Sequence, residues 1–61
     1  MAKIEYDEDV NILNIRLKDT KVVDTDTRGN CILDFDARGD VVNIEVLDYN
    51  LEDVLSLKKK K

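Results

Sequence analysis

The run Cys31–Leu47 (CILDFDARGDVVNIEVL) constrains the fold more than any other part of the chain. It reads as two β-strands joined by a turn that contains Gly39. Cys31, Leu33 and Phe35 alternate on one face of the first strand, and Val42, Ile44 and Val46 on one face of the second. Two loop geometries compete. A type I turn with Gly39 as bulge residue makes a three-residue loop and sets Phe35 opposite Val41. A four-residue loop, Asp36 to Gly39 with Gly39 left-handed, sets Leu33 opposite Val42 and Cys31 opposite Ile44. A slip of one residue turns every side chain over, and only the second loop puts both apolar sets on one face; it is the expected one. The other register brings Glu45 onto the Leu33 face, which costs several kcal/mol if the carboxylate is buried unpaired.

The residues before this hairpin supply further strands. Met1 to Tyr6 alternates, with Ile4 and Tyr6 on one side and Lys3 and Glu5 on the other. Asp7, Glu8 and Asp9 then form a turn, because aspartate side chains bond their own backbone. In Val10–Leu17, Leu13, Ile15 and Leu17 point one way and Asn14, Arg16 and Lys18 the other, the clearest period of two in the first half. Lys18-Asp19-Thr20 is a second turn. Lys21–Thr27 is rich in Val and Thr but carries Asp24 and Asp26 on the face of Val22, the mark of a strand at a sheet edge. Arg28-Gly29-Asn30 is a third turn, with Gly29 and Asn30 both able to adopt positive φ. After the hairpin, Asn50 reads as a helix N-cap, Asp53 as a short capping-box acid, and Leu51, Val54 and Leu55 as one apolar stripe. So short a helix exists only if it docks on the sheet.

With 61 residues the chain holds one domain, residues 1–57, and a lysine tail, residues 58–61. A core of this size is marginal and needs support. Cys31 is the only cysteine and there is no histidine, so neither an internal disulfide nor a zinc site provides it. Self-association is the remaining support. The tail masks the charge balance: residues 1–57 hold six basic and fourteen acidic side chains. An acidic body repels phosphate backbones, which argues against nucleic acid. No apolar run approaches the roughly 20 residues of a membrane span, and a lone thiol suits a reducing compartment, so a cytoplasmic setting is expected.

Few residues offer chemistry. Counted from Asp34, residues Asp34, Asp36, Arg38, Gly39, Asp40 and Glu45 nearly match a calcium loop of the EF-hand type. Arg38 stands where an oxygen ligand belongs, and extended flanks carry Glu45 roughly 15–20 Å from the turn. Turn-forming aspartates are the simpler reading. Asp34, Asp36, Asp40 and Glu45 are nevertheless the candidate metal ligands. The pairs Asp34/Asp36 and Asp7/Asp9 would suit a carboxylate-driven hydrolase only if a cleft held them, and solvated surface acids are the plainer account. Cys31, alternating with Leu33 and Phe35, reads as a small core residue. No catalytic constellation emerges and no cofactor is implied.

MAKIEYDEDVNILNIRL and ILDFDARGDVVNIEVLD resemble the two blocks of a small prokaryotic family, domain of unknown function 2283. The positions that carry the likeness are Tyr6, Asp7 and Asp9, then Asp34, Phe35, Asp36 and Gly39, then Ile44, Glu45, Val46 and Leu47. Asn14 departs from a common aromatic and Asn43 from a common glycine. The resemblance implies no activity, and it draws attention to Asp9, Asp34, Asp36, Gly39 and Glu45.

The expected architecture is α+β: an antiparallel meander of about five strands with one short C-terminal helix packed on one face. Val10, Ile12, Ile32, Val41 and Leu47 lie off the main apolar face and form a candidate interface. The expected function is a small acidic interaction module, a homodimer that could also dock a basic protein. Calcium binding is the alternative, and carboxylate hydrolysis the weakest.

Overall fold

The computed structural model describes residues 2–51. They form five strands: β1 (Lys3–Asp7), β2 (Ile12–Arg16), β3 (Asp24–Arg28), β4 (Cys31–Phe35) and β5 (Val41–Val46). All pairings are antiparallel, and the strands lie in the order β1-β2-β5-β4-β3. The described residues are therefore all-β, which corrects the α+β expectation. The helix expected after Asn50 falls, from position 52 onward, outside the described residues. No helix among the described residues is long and apolar enough to cross a membrane.

The strand order corrects the meander as well. A meander would put β3 in the middle of five, yet β3 (DTDTR) is exposed at every position. β5 (VVNIEV) is the most buried strand and takes the centre, between β2 and β4, while β3 goes to the edge as its charges predict. β2, β5, β4 and β3 thus form a Greek key, with β1 added outside β2. The connection 17–23 must then pass the end of the β4–β5 hairpin to reach the far edge.

The register gives each face its composition. Ile4 and Tyr6 pair with Ile15 and Leu13, which pair with Ile44 and Val46, which pair with Leu33 and Cys31. This first face is apolar across four strands and ends on β3 at Asp24, Asp26 and Arg28. The second face carries Lys3, Glu5, Asn14, Arg16, Asn43, Glu45, Asp34 and Thr25, with Ile12 and Ile32 among them.

The hairpin does not form the expected four-residue loop, and Leu33 and Cys31 do not face Val42 and Ile44. Asp36 N–H donates to the Asp40 carbonyl and Gly39 N–H to the Asp36 carbonyl, both at 3.0 Å, and Gly39 has φ +87°. This is the three-residue loop, and Phe35 does face Val41. A β-bulge at Val42 then shifts the ladder by one, so that Leu33 faces Ile44 and Cys31 faces Val46. Glu45 returns to the polar side, and Val42 becomes the one fully buried hydrophobic side chain among the described residues. The other turn glycine, Gly29, has φ +58° and opens the two-residue link between Arg28 and Cys31, as a type II′ turn requires.

Candidate functional site

Among the described residues the best-connected side chain is that of Asp36, only 5% exposed. It sits just beyond β4, where the turn curls back over it. Arg38 N–H and Asp40 N–H both donate to its Oδ1 at 3.0 Å. Oδ2 accepts from Lys18 Nζ at 2.8 Å and Thr20 Oγ1 at 3.1 Å. Lys18 Nζ also donates to Asp40 Oδ2 at 2.9 Å. Lys18 and Thr20 belong to the crossing connection, whose Leu17 and Lys18 N–H groups donate to the Val42 carbonyl at 2.7 and 3.3 Å. One carboxylate thus fastens the crossing connection to the hairpin turn. The Lys18 ammonium, helped by the two backbone N–H groups and Thr20, holds the Asp36 carboxyl well below the usual range against the opposing effect of burial. Hydrogen bonds to Asp36 and Asp40 hold the Lys18 ammonium above its ordinary value.

This arrangement engages two of the proposed calcium ligands, Asp36 and Asp40, with a protein cation. Asp36 and Asp40 share Lys18, a cation, where a metal would have to sit. Asp34 lies on the polar face and accepts from Thr25 Oγ1 at 2.8 Å. Glu45 stands farther along the same face, between Asn14 and Ile32. Among the described residues no group of three or more acids or cysteines gathers to hold a metal ion. The acid pairs proposed for hydrolysis are likewise engaged locally: Asp7 Oδ1 accepts from Asp9 N–H at 3.0 Å.

The expected interface set also divides. Val41 faces Phe35 and so belongs to the main apolar face. Val10 is exposed in the β1–β2 turn. Ile12, Ile32 and, by alternation from Glu45, Leu47 remain together at one end of the polar face, each half-buried. The larger apolar surface is the first face. Tyr6, Leu13, Ile15, Cys31, Leu33, Phe35, Ile44 and Val46 are all half-buried there, and Ile4 is 65% exposed.

Sequence reasoning missed two pairings. Lys18 and Thr20 read only as a turn, because their partner is 16 to 18 residues away. Asn43, only 6% exposed, donates from Nδ2 to Asn14 Oδ1 at 2.9 Å, while its side-chain Oδ1 has no partner among the described residues. These asparagines are the two departures from the family pattern noted above, and they lie on neighbouring strands.

A family model described as "Protein of unknown function (DUF2283)" matches residues 3–49. No curated protein and no solved structure matches the chain. The matched span covers all five strands and the Asp36 turn, and the chain belongs to this family.

Proposed function

We propose that this family member is a small acidic interaction module that works by self-association. One observation carries the reading: the described residues make a single-layer sheet with a broad apolar face, on which only Val42 is fully buried. A sheet with one apolar face needs a second layer or a neighbour. A 61-residue chain with one cysteine and no histidine has no disulfide or zinc site to compensate. The partner is a second copy of the same chain. The acidic excess of residues 1–57 gives the assembly a surface suited to a basic protein, and the lone thiol fits a reducing compartment.

Sedimentation equilibrium tests this directly. The expected result is a mass that rises from one chain toward two as concentration passes through the micromolar range. A mass that stays at one chain up to roughly 100 µM would remove the reading, since a dimer that weak contributes little to stability.

A further inference from the structure

We propose that the second copy joins at the outer edge of β1, antiparallel to its counterpart, with Ile4 facing Ile4 of the other copy. This rests on the self-association reading and specifies a contact at the sheet edge, which lengthens the apolar face without covering it.

The two edges of the sheet differ. β3 presents Asp24, Asp26 and Arg28 on the apolar side of the sheet, and charged residues pointing toward that side are a standard guard against strand addition. β1 has no such guard: on the same side it carries Ile4 and Tyr6. Ile4, at 65%, is the most exposed large hydrophobic side chain among the described residues. Among those residues no strand pairs with the outer edge of β1.

Charge sets the register. Residues directly opposite each other across an antiparallel pair stand about 4.5–5.5 Å apart, where unlike charges attract and like charges repel. If Ile4 meets Ile4, each Lys3 meets the other copy's Glu5, and each Ala2 meets Tyr6. Apolar pairs then continue the apolar face, and opposite charges pair on the polar face. Lys3 and Glu5 already neighbour each other along β1 at 3.6 Å, both well exposed and free to turn outward. The neighbouring register that keeps the same faces sets Glu5 against Glu5, a repulsive pair at the centre. The self-complementary pattern Lys-Ile-Glu therefore selects the first register, and two five-stranded sheets become one of ten strands. So short an edge buries a small area, which is consistent with micromolar affinity.

The test uses the whole chain in a Cys31→Ala background, so that introduced cysteines are the only thiols. Facing positions at this spacing suit a disulfide. With oxidised glutathione as electron acceptor, Ile4→Cys is expected to link most chains into dimers and Glu5→Cys few. Lys3→Glu should weaken dimerisation roughly tenfold by reversing two cross-strand pairs, and Lys3→Glu with Glu5→Lys should restore it. Circular dichroism confirms the fold of each variant, and exposed Ile4 and Lys3 tolerate change. A parent chain that is monomeric throughout overturns both this proposal and the reading beneath it. A parent dimer that Lys3→Glu leaves unchanged, or that links through Glu5→Cys rather than Ile4→Cys, overturns the β1 assignment alone.

Discussion

Asp36 and Lys18 set how the molecule answers to pH. The folded pKa of Asp36 lies below that of an unfolded aspartate, so its contribution to stability is present above about pH 4 and is lost as pH falls further. The folded pKa of Lys18 is raised, so its contribution is present below about pH 10 and is lost as pH rises further. The melting temperature should accordingly hold a plateau between those limits. Lys18→Met should lower that plateau and shrink the fall on the acid side, as thermal unfolding over a pH series will show. The turn itself was legible, because Asp-x-x-Gly names a turn acid and a left-handed position. Lys18 was not, because nothing local ties it to a residue 18 positions on. At Gly39 an added Cβ meets nothing within 4 Å, so only backbone strain at φ +87° opposes substitution. Gly39→Ala should cost roughly 1–2 kcal/mol in urea unfolding, and Gly39→Asn less, because asparagine tolerates the left-handed region. The asparagine pair gives a sharper contrast. Asn14→Leu leaves the Asn43 amide buried and unpaired and should cost about 1–3 kcal/mol, whereas Asn14→Leu with Asn43→Val should recover most of the loss.

At the level of the strand, periodicity located four of the five elements, and composition both located β3 and placed it at an edge. Their ends moved by a few residues. The third strand was read as Lys21–Thr27 and begins only at Asp24, because Lys21 to Val23 are part of the crossing connection. Register was harder. Choosing between two whole-strand registers left out a local bulge, which lets the three-residue turn and the facing of Leu33 with Ile44 coexist. No simple period encodes that compromise; the pair Val41-Val42, two apolar residues in succession, is its only trace in sequence. Val42 is where the compromise is buried. Val42→Ala removes two methyl groups from the tightest point of the sheet and should cost about 2 kcal/mol in urea unfolding. The same substitution at exposed Val23 should cost much less.

For the whole molecule, the strand order follows from where apolar surface is concentrated. The most buried strand is the last of the five and takes the centre, so the chain must cross from β2 to the far edge before it can form the β4–β5 hairpin. A meander was the shorter path in sequence, but it would have left the charged β3 with neighbours on both sides. What this topology does not supply among the described residues is a second layer, and the apolar face is the consequence. If a second copy pairs at the β1 edge, folding and assembly are linked by mass action, and stability depends on concentration. Each tenfold rise in protein concentration within the dimer range should then raise the melting temperature by roughly 5 °C for a chain of this size. Ile4→Lys, which sets two ammonium groups face to face at the proposed β1 seam, should abolish that dependence while leaving a folded chain with the melting temperature of the dilute parent. Differential scanning calorimetry across two decades of concentration separates the cases. A parent whose melting temperature does not move with concentration has no linked assembly, and its sheet needs no second copy.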